Sequence, residues 1–246
     1  MRLAVAGLGI AALALAGCQL PAPGAGNSTT ELKAQPSFVA LNRPATCSGY
    51  VALSIDDGPT RTSNQLVEVL AHYKVPAVFF NTGEHTARLP HVIAQERGLP
   101  GVQFGNHSWD HPDLSTLSSE LARSQIERTR AVQGEQVIFF RPPFGSANSM
   151  VDKVVAAAGM VEVLWTHDSK DYDALSTDQI IAQSQGMKDG GILLLHDRPL
   201  TAQALPGIIG SYYAKNVCFG KITRSAGAQA PVESPELLFY AKAVAL

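Results

Sequence analysis

Charge is scarce in this chain. Only 16% of its 246 residues are charged, and 19 basic side chains against 21 acidic ones leave no cationic excess. A broad polyanion-binding surface is therefore excluded, and nucleic acid is not expected as a partner. Cysteine is scarcer still: with three residues, only one intrachain pair can form. Internal repeats and low-complexity blocks are missing from the body of the chain, which rules out a repeat array. What is plentiful is apolar side chain, at 46%, and the length suits one sizeable domain with its own core better than two small ones.

The amino terminus, MRLAVAGLGIAALALAGCQL, places a single Arg2 before an apolar run that stops at Ala16-Gly17-Cys18. This reads as an export signal over residues 1–18, too short and too weakly flanked for a lasting membrane span. Leu15-Ala16-Gly17-Cys18 resembles a bacterial lipobox, in which Cys18 becomes the lipidated first residue of the mature protein. The alternative is an ordinary secretory signal cut nearby. The expected location is thus outside the cytoplasm, as a cell-envelope lipoprotein or a secreted protein, touching membrane only through a lipid anchor. Residues 19–45, rich in Pro, Gly, Ala, Ser and Thr, read as a flexible linker. Export leaves Cys47 and Cys218 in an oxidising compartment, where a disulfide from the start of the domain to its last strand is expected; two separate buried thiols are the alternative.

From Tyr50 onward short apolar runs alternate with segments of helical period. The runs are YVALSI (50–55), AVFF (77–80), VQF (102–104), VIFF (137–140), VEVLW (161–165), ILLL (192–195) and VCFGKI (217–222). Between them, TSNQLVEVLAHYK puts Leu66, Val69, Leu70 and Tyr73 on one face, and SSELARSQIERTRAVQ does the same with Ala122, Ile126 and Thr129. Alternation of this kind predicts a parallel sheet, and continuous apolarity predicts strands covered on both faces, in a wound sheet or a barrel. Seven runs favour a barrel. Asp56 and Asp57 follow the first strand, His107 the third, Arg141 the fourth, Asp168 and Asp171 the fifth, and His196 and Asp197 the sixth. All fall at carboxyl ends, where parallel α/β folds build their sites.

Each constellation has a plainer reading beside the chemical one. NHSWDHPD spaces His107 and His111 as HxxxH, a zinc-ligand spacing, but Pro112 pushes His111 out of a helix, so a surface histidine pair competes with a metal site. SIDDGP supplies two adjacent carboxylates, able to divide the roles of cation ligand and base, or simply to form a solvated turn. FFRPPFG fixes Arg141 on a rigid turn, either exposed or orienting a carboxylate. ILLLHD sets His196 at the end of a strongly apolar strand, as a hydrogen-bonded core residue or a proton donor.

In this order SIDDGP, NHSWDHPD, FRPPFG, WTHDSKDYD and LLLHD resemble the motif series of the polysaccharide deacetylases, the NodB-homology enzymes of carbohydrate esterase family 4, over about residues 47–222. The contexts of Cys47 and Cys218 are further similar to the secreted acetylxylan esterases of that family, those of actinobacteria. The resemblance implies an α/β distorted (β/α)7 barrel, with a catalytic domain over residues 46–224 and a tail over 225–246. It implies Asp56 as catalytic base, with Asp57, His107 and His111 binding a divalent metal, zinc or another such as cobalt. It implies His196 as general acid, Arg141 fixing the base, Asp171 keeping His196 able to donate, Phe144 offering its backbone amide to the oxyanion, and Leu194 and Tyr172 walling an acetyl pocket.

The implied function is a metal-dependent hydrolase that removes acetyl groups from a polysaccharide or oligosaccharide. The bond is either an ester, as on acetylxylan, or an amide, as on chitooligosaccharide or peptidoglycan. A monomer is expected. The competing reading is a non-catalytic metal- or glycan-binding lipoprotein. Ile55, Phe144 and Tyr172 stand where the family usually has Phe, Tyr and Trp, which retunes sugar contacts. His167 replaces a commonly apolar residue and reads as an exposed loop histidine or, alternatively, a substrate contact. The tail from about residue 225 has no assigned role, packed or disordered.

Overall fold

In the strand GYVALSID (β1, Gly49–Asp56) nearly every residue is buried, so both faces of this strand are covered. The computed structural model describes residues 38–223 and 238–240. The expected signal peptide with Cys18, residues 19–37 of the expected linker and most of the expected tail lie outside the described residues. No described helix is long and apolar enough to cross a membrane.

After β1 come α1 (Ser63–Tyr73), β2 (Ala77–Asn81), α2 (Gly83–Arg88), α3 (Pro90–Arg97), β3 (Gln103–Asn106), α4 (Ser119–Gln133), β4 (Phe139–Phe140) and α5 (Ser149–Ala157). The chain continues through β5 (Val161–Glu162), β6 (His167–Asp168), α6 (Thr177–Gln183), β7 (Gly191–His196), α7 (Pro199–Tyr213), β8 (Val217–Phe219), β9 (Lys221–Thr223) and β10 (Leu238–Tyr240). The main sheet runs β5-β4-β3-β2-β1-β7-β6, with β8 on β1, and every pairing is parallel. β2 begins opposite Leu53, so β8 takes the edge of β1 that β2 leaves free, at Gly49–Val51.

One stretch curls the sheet into the distorted barrel. β5 pairs with β4 at one end of the strand order and β6 with β7 at the other. Between them Val163 N donates to Phe140 O (2.8 Å) and Thr166 N to Ile192 O (3.0 Å). The run VEVLW is therefore not the continuous strand its apolarity predicts, because it must hand over from one neighbour to another. VCFGKI likewise divides, with Gly220 N bonded to Val51 O (3.0 Å) between β8 and β9. Within the expected tail, β10 pairs with β9. Residues 38–45, read as linker, include Val39, whose backbone N and O bond the Tyr73 hydroxyl at 3.1 and 2.9 Å.

Alternation along β1, β2 and β7 sorts side chains into two cores, while Phe140 of β4 packs in a third with Ile126 of α4 and Val151 of α5. Val51, Leu53 and Ile55 face outward with Leu193 and Leu195, against Leu66, Val69 and Leu70 of α1 and Ile208 and Ile209 of α7. Ala52 faces inward with Val78, Phe80, Phe139, Val163 and Ile192. By the same period of two, Ser54 and Asp56 continue the inward line of β1 above this apolar plug. Helix α4 buries Ala122, Ile126 and Thr129 as its period predicts, and Ser118 caps it by accepting from Leu121 N. At the opposite end of β1 from Asp56, Cys47 and Cys218 form the expected disulfide, Cα–Cα 5.7 Å, enclosing 171 residues of sequence separation.

Candidate active site

The inward line of β1 ends in Asp56, buried to 3% exposure, and its register partner on β7 is His196. Below them lies Arg141, with no solvent exposure, at the end of β4. Its Nη1 donates to Asp56 Oδ1 (2.7 Å) and to Ser54 Oγ (2.8 Å), its Nε to Val163 O (2.9 Å) and its Nη2 to Leu164 O (3.1 Å). The guanidinium lies 4.0 Å over the Phe80 ring. Burial draws the Arg141 pKa down against the pull of Asp56, but arginine starts so high that it stays protonated. The exposed-turn reading of Arg141 is overturned: the side chain is fully buried and four of its five N–H donors bond Ser54, Asp56, Val163 and Leu164.

The loop after β1 carries Asp57, held at φ 68. Its Oδ1 is buried with no hydrogen-bond partner, and lies 3.5 Å from His107 Nε2 and 3.3 Å from His111 Nε2. His107 Nδ1 is 2.7 Å from the carbonyl of Arg141. A carbonyl only accepts, so the proton is on Nδ1 and Nε2 presents its lone pair toward Asp57. Burial raises the Asp57 carboxyl, but the imidazoles of His107, His111 and His196, when protonated, outweigh it and hold it at about 2, so Asp57 is an anion that a cation can bind once it displaces those protons. Burial and then His107 lower the His111 pKa, which favours the neutral ligand form. One carboxylate oxygen and two imidazole nitrogens thus converge, all within 4.8 Å of one another. This donor set suits a divalent ion with positions left open.

His111 lies outside any helix, as Pro112 predicts, at φ 63. Ser108 (φ 65) and Phe144 (φ 60) are also in the left-handed region. Four non-glycine residues in this conformation around one cleft, Phe144 the least suited to it, are strain held by the surrounding packing.

On the other side of the cleft Asp171, buried, receives His196 Nδ1 on Oδ1 (2.7 Å), and on Oδ2 both His196 N (2.7 Å) and Thr201 Oγ1 (2.6 Å). Burial works against a charged His196, but Asp171 outweighs it and raises its pKa, helped by Asp56 and Asp57. Asp197 turns away from the cleft: its carboxylate accepts from Thr60 N (3.1 Å), Thr60 Oγ1 (3.1 Å) and Ser63 Oγ, pinning the loop that carries Asp57.

Asp56, Asp57, His107, His111 and His196 share one open cleft of about 440 Å³. Phe144, Leu194 and Tyr172 line it, and Trp165, Asp168 and Arg198 join them without having been singled out as pocket residues. Tyr172 is tied to Asp168 through its hydroxyl, 3.0 Å from Oδ2, and its ring meets His196 edge-on at 5.4 Å. His167 lies outside this cleft. It belongs to β6 rather than a loop, and its Nε2 bonds Gln183 O (3.0 Å), which ties β6 to the end of α6. Ser54 and Thr201 were missed because a serine or threonine inside an apolar strand or at a helix start carries no sign of which buried group it will meet.

Residues 43–163 match the polysaccharide deacetylase family. The chain is 31% identical over 188 residues to a bifunctional xylanase/xylan deacetylase of Cellvibrio japonicus, covering 74% of this chain and 28% of that protein. It is 32% identical to a chitooligosaccharide deacetylase of Sinorhizobium fredii, covering 63% of this chain and 75% of that one. Among solved structures it is similar to a family 4 carbohydrate esterase from Streptomyces lividans in complex with acetate, at 34% identity and a TM-score of 0.69, covering 72% of this chain and 94% of that one. The chain spans only about a third of the length of several curated relatives that it matches.

Proposed function

Because the chain belongs to the polysaccharide deacetylase family, we propose that it is a metal-dependent hydrolase removing acetyl groups from a carbohydrate polymer or oligomer. The observation that carries this reading is the pairing of Asp56 with His196 across one cleft, each held by its own buried partner, beside a convergent Asp57, His107 and His111.

Asp57, His107 and His111 would hold the ion, zinc or another divalent metal such as cobalt. Bound there, it supplies Lewis acidity that polarises the acetyl carbonyl and makes water a stronger acid. Asp56 keeps Oδ1 on Arg141, leaving Oδ2 to take the proton from attacking water. His196 keeps Nδ1 on Asp171, so Nε2 is the atom that gives a proton to the departing sugar oxygen or nitrogen. The backbone amide of Phe144 would stabilise the oxyanion. Leu194 and the rings of Tyr172 and Trp165 exclude water and leave room for a small acyl group.

Both bond types among the relatives, xylan ester and chitooligosaccharide amide, suit a site whose proton donor serves oxygen or nitrogen, so the enzyme accepts several acetylated sugars, peptidoglycan N-acetylglucosamine included. The leader sequence supports action outside the cytoplasm, at the cell envelope if Cys18 is lipidated. Acetate release from acetylxylan and from N-acetylglucosamine oligomers, with added zinc and Asp56→Asn as control, tests the reading. Release by the wild type and none by the variant supports it; no release from either substrate sinks it.

A further inference from the structure

Outside the cleft, on α3, Glu96 is wholly enclosed, with no exposed surface. The catalytic reading gives it no task, and an acid is a costly choice for a buried position unless it is hydrogen-bonded. Its Oε2 accepts from Asn81 Nδ2 at 2.7 Å. Burial pushes the carboxyl up to about 8, against Asn81 and with nearby Asp197, so it is neutral at neutral pH.

Asn81, the last residue of β2, touches both loops that carry the metal-binding residues. Its carbonyl accepts from His107 N (3.2 Å) and from Gln133 Nε2 (2.7 Å). Its side-chain Oδ1 lies against Gly58, the residue after Asp57: a Cβ there would collide with Asn81 Oδ1 and with Asp197 Oδ2. The next residue, Thr82, donates its N–H to Gly58 O (2.9 Å). Asn81 Oδ1 makes no hydrogen bond of its own there; what holds the amide with Oδ1 toward the loop is the bond from Nδ2 to Glu96 Oε2.

We propose that Glu96 is a positioning residue: by holding the Asn81 amide, it fixes the Asp57 loop and His107 relative to each other in the arrangement that binds metal. The inference rests on the metal-dependent reading above. Asn81 stands one step behind the ligands, where partners tune affinity by about 10–100-fold, and Glu96 acts one step further out, through Asn81.

The test is cobalt(II) titration of the full-length protein, following the visible spectrum of the bound ion, with kcat and KM for acetate release at saturating metal. Glu96→Ala is expected to weaken cobalt binding about tenfold or more and to alter the spectrum. Its kcat should fall while KM stays near the wild-type value. Glu96→Gln, whose carbonyl still accepts from Asn81, is expected to restore all three. A folded Glu96→Ala with wild-type affinity and spectrum overturns the proposal, as does a Glu96→Gln as impaired as Glu96→Ala. Should Glu96→Ala fail to fold, Asn81→Ala is read in the same way, and wild-type cobalt affinity there overturns it. Wild-type protein that binds no cobalt would overturn the metal reading itself; variants that match an active, metal-binding wild type overturn this inference alone.

Discussion

Asp56 and His196 are register partners on adjacent parallel strands, and each is gripped by a buried partner at 2.7 Å, Asp56 by Arg141 and His196 by Asp171. Side by side in the sheet, one is ion-paired to a cation and the other to an anion. In the proposed reaction this division would suit one to accept a proton and the other to donate one.

Breaking the first grip is expected to cost stability as well as turnover. Arg141→Met leaves the Asp56 carboxylate buried and unpaired, a loss of about 3–5 kcal/mol. Urea unfolding should show a lower midpoint with unchanged slope, and acetate release should vanish. Arg141→Lys is expected to fail too, since an ammonium cannot reach Asp56, Val163 O and Leu164 O together. A fully active Arg141→Lys would contradict the fork-like role.

The second grip sets a pH limit. His196 has a raised pKa, so its donor form persists above the ordinary histidine range and activity is lost as pH rises through that raised value. Asp171→Asn should move the alkaline limb of the kcat profile to lower pH. The linked stability has the same sign: it is fully present below the unfolded histidine pKa and disappears as pH rises through the folded one. Urea midpoints of wild type and Asp171→Asn should therefore converge at high pH; a gap that widens there contradicts the pairing.

Metal should stabilise as well as activate. At a free zinc concentration of about 100 times Kd, binding adds about 2.7 kcal/mol, or about 5–10 °C in Tm for a chain of this size. Chelator should remove both the shift and acetate release, and His107→Ala should be insensitive to either addition. A melting temperature indifferent to zinc in the wild type would argue against the Asp57, His107 and His111 set.

Reduction of the Cys47–Cys218 bond should separate stability from catalysis. Closing a loop of 171 residues restricts the unfolded chain by about 5 kcal/mol in the entropic account. The bond lies at the start of β1 and the cleft at its end, about 26 Å of strand away. The Cys47→Ser, Cys218→Ser variant is expected to unfold at markedly lower urea yet keep wild-type kcat at low temperature. Loss of kcat in a folded variant would show that the two ends of β1 are coupled.

The runs YVALSI and ILLL and the helix around Leu66 and Leu70 were legible because burial on both faces of a strand, or one face of a helix, is written into local apolar pattern. The handover from β5 to β6 was not: nothing within VEVLWTHD states that Val161 will pair with β4 and His167 with β7. The residue types of the proposed metal set were visible at strand ends, but that Asp57 lies within 3.5 Å of His107 and 3.3 Å of His111 is decided only by the fold.

The sequence by itself determined the alternating α/β order and the chemical residues at the carboxyl ends of strands, and it pointed to Cys47 and Cys218 as a pair, since each follows from local periodicity, short motifs or a small cysteine count. Only the tertiary structure decided which acid serves which base. Arg141 reaches Asp56 across 85 positions of sequence, Asp171 reaches His196 across 25, and Glu96 reaches the metal loops through Asn81. Such pairings depend on the register of parallel strands and on which side chains the curled sheet turns inward. Register is a property of neighbours brought together by folding, which no single stretch of chain contains.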